Sequence, residues 1–176
     1  MSPAVDLTGR WVGHYRQHEH ERPISAELLQ QGQRFSGTMC DGQPQSEFTL
    51  FEMAQQAGLP PGADELIEAK LREDLPDARK GPIRYAAHLP ANSILDGHWK
   101  GRVVYFRKTY QGSSFSGYKL GDKLVGVQRK GHAVHYEGEL SPDGRLIEGR
   151  WWIDADAASG TYRADGTFVL RREGRD

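Results

Sequence analysis

A single cysteine, Cys40, stands among the 176 residues, which excludes any internal disulfide and with it the small disulfide-stapled scaffolds. The opening "MSPAVDLTGR" has no basic stretch followed by an apolar one, and together with the lone thiol this predicts a cytoplasmic protein. No apolar run approaches the roughly 18–20 residues that cross a bilayer as a helix, so a soluble chain with no membrane partner is expected. Net charge is nearly absent as well: 23 Lys and Arg against 24 Asp and Glu leave -1, too little to draw in nucleic acid. Neither a phosphate-cradling glycine loop nor a basic aromatic cluster occurs, so no nucleotide cofactor and no nucleic-acid partner are expected. "GSSFSG" at 112–117 lacks the Gly-x-Ser-x-Gly nucleophile elbow and reads as a loop or strand end.

What the chain does hold is glycine placed with a pattern. "LTGRW" at 7–11 returns as "LDGHW" at 95–99 and "IEGRW" at 147–151, with variants "FSGTM" at 35–39, "YEGEL" at 136–140 and "SGTY" at 159–162. Residues i, i+2 and i+4 of a strand share a face, so the word sets an apolar residue, a glycine and an aromatic on one side. A glycine there leaves room for a neighbouring ring and lets a coiled strand bend, as closing a sheet into a barrel requires. Trp11, Trp99 and Trp151 are therefore expected inside and Trp152 outside.

Asp-Gly in "SPDGR" at 141–145 and in "RADGT" at 163–167 predicts hairpin turns, with weaker turns at "QGQR" 31–34 and "RKGH" 129–132. Between them the alternation predicts strands over 9–18, 23–31, 34–41, 46–53, 83–89, 95–110, 115–120, 123–130, 133–140, 145–154 and 159–172. One stretch breaks the rhythm. "ADELIEAKLREDL" at 63–75 places Leu66, Ile67, Leu71 and Leu75 at helical spacing, with Asp64 as the expected N-cap. The expected fold is all-β: one antiparallel up-and-down barrel over residues 1–176, carrying a single short helical insertion at about 63–75.

The opening "TGRW" resembles the first strand of the calycin barrels, the group of lipocalins, fatty-acid-binding proteins and avidin-like proteins, which begins Gly-x-Trp. That resemblance implies a barrel whose last strand lays a basic residue over the tryptophan, and "TFVLRR" at 167–172 offers Arg171 and Arg172. The second lipocalin signature of the Thr-Asp-Tyr type and the biotin-contact pattern of avidins are absent, so the resemblance names no ligand.

Continuing the inward face from Leu95 through Gly97, Trp99, Gly101, Val103 and Tyr105 ends in Arg107 and Thr109. With Tyr15 and Gln17 of the first strand, Tyr136 and Trp151, this gives a candidate ligand-binding set of Tyr15, Gln17, Tyr105, Arg107, Tyr136 and Trp151. Apolar walls with a few aimed polar groups suit a small amphipathic or acidic molecule. Barrel interiors of this size also fill themselves with side chains, so an interaction module with a solid core, offering its helix and the loops "QPQSE" and "GLPPGADE" to a protein partner, stays open. So does an isomerase-, cyclase- or lyase-type enzyme using the tyrosines and Arg107, because unrelated functions share barrels. His14, His18 and His20 share the outward face of an alternating strand, but no third ligand is set by spacing and no metal site is expected.

Overall fold

The computed structural model describes residues 5–75, 81–156 and 163–174. In chain order its elements are β1 (Gly9–Gln17), β2 (His20–Gln31), β3 (Arg34–Asp41), β4 (Gln45–Thr49), α1 (Leu50–Gln56), α2 (Ala63–Asp74), β5 (Ile83–His88), β6 (Asn92–Lys100), β7 (Val103–Tyr110), β8 (Ser113–Leu120), β9 (Lys123–Lys130), β10 (Ala133–Leu140), β11 (Leu146–Ile153) and β12 (Ala164–Arg172). They form two compact units: residues 1–44, 90–112 and 130–176, and residues 45–89 with 113–129.

The first unit is a closed barrel of eight strands in the order β1-β12-β11-β10-β7-β6-β3-β2, each paired antiparallel with its neighbours. Taken along the chain, every barrel strand pairs with the one before it, and β12 returns to β1. This is an up-and-down barrel, consistent with a calycin-like fold. The glycine words explain its tightness. A Cβ built on Gly97 would stand 2.5 Å from Phe35 Cζ and 2.7 Å from Phe106 Cβ, and one on Gly149 would run into the Glu137 carbonyl. Any side chain at either position would displace an inward ring or push neighbouring strands apart.

At one end Trp11 is fully buried and donates from Nε1 to the Leu7 carbonyl at 2.9 Å. Arg172 lies with its guanidinium carbon 5.4 Å from the centre of the Trp11 ring and donates to the carbonyls of Asp6 and Thr8. The expected basic residue over the tryptophan is thus Arg172. Across the middle, Phe106 stacks on Tyr136 at 4.5 Å, and Phe168 meets both rings edge-on at 5.9 and 5.1 Å. Trp151 is buried as expected, and Trp152 faces outward but is half-covered. Trp99, expected to be buried, is only partly so: it sits beside a strand end, and its Nε1 reaches the Gly32 carbonyl in the β2–β3 turn at 3.2 Å.

Three expectations need correction. The strand drawn over 95–110 is two strands, β6 and β7, because Gly101 adopts φ 62 and the chain reverses between Lys100 and Val103. The Asp-Gly at 165–166 is not a turn: β12 runs straight through it, and Gly166 lies under the Trp151 indole, where a Cβ would come within 2.6 Å of Nε1. "SGTY" at 159–162 lies outside the described residues. The strand drawn over 46–53 stops at Thr49, whose side chain accepts from the Glu52 amide at 3.1 Å and starts α1.

The second unit is a four-stranded sheet in the order β4-β5-β8-β9 with α1 and α2. Leu50, Ile83 and Leu120 form its buried centre, and Met53, Leu71, Leu75, Tyr118 and Val125 pack around them. The helix expected at 63–75 is α2, capped at Gly62 with φ 85 rather than at Asp64. Among the described residues no helix is long and apolar enough to cross a membrane.

Candidate functional site

A charged cluster lies inside the barrel at the end opposite Trp11. The two-residue turn after Lys100 exchanges the faces: Lys100 pairs with Val103, so the inward set passes from Leu95 and Gly97 to Val104, Phe106, Lys108 and Tyr110. A cation does end the stripe, but it is Lys108. Arg107 points outward and is exposed. On β3 the inward residues Phe35 and Met39 are followed by Asp41, which the alternation also turns inside.

Lys108 and Asp41 are 1% and 3% exposed, and their ammonium and carboxylate meet at 2.9 Å. The second Asp41 oxygen accepts from the Tyr110 hydroxyl at 2.6 Å. Three tyrosine rings surround the ammonium, with Nζ lying 4.5 Å from the centre of Tyr110, 5.6 Å from Tyr136 and 5.8 Å from Tyr15. Ser93, also buried, donates to the Met39 carbonyl at 3.3 Å. Tyr15 meets Trp151 edge-on at 5.8 Å, and the Trp151 indole donates to the Arg16 carbonyl at 3.1 Å.

Burial works against the Lys108 charge, but Tyr110 and Asp41 outweigh it and hold the ammonium's pKa above its usual 10.5. Burial raises Tyr110 and Tyr136 well above the ordinary tyrosine value, and raises Tyr15 too, so all three remain neutral hydroxyls at physiological pH. His132, edge-on to Tyr110 at 5.1 Å, is lowered below 6.5 by burial and by the Lys108 charge. His132 also lines an open groove of about 440 Å³ with Thr109, Lys130, His135, Asp154 and Asp156. The imidazole therefore stands between that groove and the buried cluster.

Of the expected ligand set, the structure brings Tyr15 and Tyr136 to Lys108, and sets Trp151 edge-on to Tyr15. Gln17 is half-buried at the end of β1, paired with His20. Tyr105 and Arg107 stand on the outer wall, where the Tyr105 hydroxyl meets His135 Nδ1 at 2.7 Å. Asp41, Lys108, Tyr110, Ser93 and His132 were missed. The signal for the first was present in "FSGTMCD", where the period-2 stripe runs Phe35, Gly37, Met39 and then Asp41. The histidines of the first strand do not share a face, since His18 sits in the β1–β2 turn with φ 52 while His14 approaches Glu21 at 3.5 Å. Compared with protein-family models, with curated proteins and with solved structures, the chain matches none.

Proposed function

We propose that this protein reversibly binds a small acidic, amphipathic molecule at the Lys108 end of the barrel. The head group sits on the ammonium, and the apolar part lies against Tyr15, Tyr136 and Trp151. The observation that carries this reading is a buried ammonium ringed by three neutral tyrosines inside a barrel, one imidazole away from an open groove. An ion is costly to hold out of water, and Asp41 answers the ammonium at 2.9 Å. A carboxylate ligand exchanges for that partner, and the tyrosine hydroxyls supply directional hydrogen bonds. Arg172 over Trp11 supports kinship with the calycin barrels, and the single exposed thiol, Cys40, supports a cytoplasmic setting.

The test is titration of wild type and of the double variant Lys108→Met/Asp41→Asn with a panel of fatty, aromatic and isoprenoid acids. Loss of the ammonium should weaken a bound acid by about 1.5–3 kcal/mol, the worth of a charge-assisted hydrogen bond. Equal affinities in the two proteins, or binding by neither, would sink the reading. A second reading, an interaction module with a filled core, is favoured by the aromatic rings that meet across the middle of the barrel.

A further inference from the structure

Charge inside the barrel is counted one against one. Lys108 on β7 and Asp41 on β3 are both buried and meet at 2.9 Å, and Tyr110 donates to the second Asp41 oxygen at 2.6 Å. The other titratable groups that face this pair, among the described residues, come from the strands and the turn around it. Tyr15 on β1, Tyr136 on β10 and Tyr110 itself are held as neutral hydroxyls by burial. His132, between β9 and β10, is held neutral at physiological pH by burial and by the Lys108 charge. Arg22 on β2 is half-buried beside Tyr15 in the β1–β2 register, and acts on that hydroxyl less than either Asp41 or Lys108 does. Lys130, His135, Asp154 and Asp156 line the open groove together with His132.

A carboxylate brought to Lys108 upsets that count, leaving two anions against one cation at a place where Asp41 is 3% exposed. Two carboxylates in one desolvated site do not both stay ionised. We propose that an acid binds at Lys108 together with one proton from solvent, shared between its own carboxyl group and Asp41, so that the occupied cluster keeps the zero net charge of the Lys108–Asp41 pair. This rests on acid binding at Lys108 and goes beyond it by fixing the species held, a weak monocarboxylic acid with its proton. The ionised member of the two carboxyls accepts from the ammonium, the protonated member donates to the ionised one, and the Tyr110 hydroxyl stays on Asp41. Asp41 then decides specificity. It turns away a dianion, which would need a second proton, and it makes affinity depend on pH. Each bound acid carries one proton out of solution, so binding tightens as pH falls and the ligand leaves as pH rises.

The test is titration calorimetry of the full chain with dodecanoic, naphthoic and farnesoic acids between about pH 7 and about pH 9, where the free acids are ionised, His132 is neutral, and Lys108 and the three tyrosines keep their protons. The dissociation constant of a bound acid should rise about tenfold per pH unit, and its heats in HEPES and in Tris at about pH 8 should differ by the ionisation enthalpy of one proton. Asp41→Asn, whose amide oxygen still accepts from Tyr110 but which brings no charge, should take the anion with an affinity that changes less than about twofold over that range. His132→Gln should still take up one proton. Circular dichroism checks folding; if Asp41→Asn does not fold, the proton counts of wild type and His132→Gln decide. Affinity that is flat with pH, with no proton taken up, overturns the proposal and leaves acid binding at Lys108 standing. Loss of the uptake in His132→Gln puts the proton on the imidazole and overturns it too, whereas failure of all three acids to bind at any pH removes both.

Discussion

Replacing Lys108 with methionine tests the buried pair directly. The substitution keeps most of the side-chain volume and removes the ammonium that answers Asp41 Oδ1 at 2.9 Å, leaving the carboxylate, at a position 3% exposed, with the Tyr110 hydroxyl as its side-chain hydrogen-bond partner among the described residues. Breaking a buried pair by removing one partner costs about 3–5 kcal/mol, because the survivor is a charge out of water. A domain of this class has about 5–15 kcal/mol in total, so the barrel should melt roughly 6–20 °C lower. Adding Asp41→Asn removes the stranded charge, and its amide oxygen still accepts from Tyr110; the double variant should recover to within about 2 kcal/mol of wild type, a strongly non-additive cycle. Urea unfolding followed by tryptophan fluorescence reads the barrel alone, since Trp11, Trp99, Trp151 and Trp152 all lie in that unit and none in the other. If Lys108→Met lost less than about 1 kcal/mol, or if the two substitutions simply added, the pair would not be the desolvated one described here.

The same cluster sets a pH dependence. Lys108, Tyr15, Tyr110 and Tyr136 all have folded pKa values above their usual 10.5 and 10.0, so their contribution is intact below about pH 10 and is lost as pH climbs through the raised values. His132, lowered from 6.5, gives the opposite limb: its contribution is present above that value and lost as pH falls through the depressed one. Calorimetric melting temperatures across pH should show a plateau between the two limbs, and the Lys108→Met/Asp41→Asn protein should have a shallower alkaline limb; no decline above pH 10 would contradict the assignment. Gly97→Ala should cost about 1–3 kcal/mol by urea unfolding, because its methyl would press on Phe35 and Phe106; a neutral effect would mean that the barrel has slack there.

The alternation and the Gly-x-aromatic words determined most of the strands and the barrel, and the resemblance of the first strand to the calycin barrels supplied the expectation of a basic residue over Trp11. Strands and barrel follow from local rules: side-chain period, steric room beside an inward ring, and left-handed glycine at reversals. "TLFE" at 49–52 carries a capping signal for α1, a threonine with a glutamate three residues on, directly after the β-forming residues of β4. Which cation enters the barrel was different in kind. Arg107 and Lys108 are adjacent, and a reversal of two residues at Gly101–Arg102 turns every later side chain over, so one unrecognised turn exchanges one for the other. What the cation meets was not local at all: Asp41 lies 67 residues earlier, on a strand two places round the barrel, and only closure of the sheet brings its carboxylate to the ammonium. Tyr105 and Arg107 likewise became neighbours of His135 and Trp152 on the outer wall through strand register, which pairs residues distant in the chain and leaves no mark in any one segment.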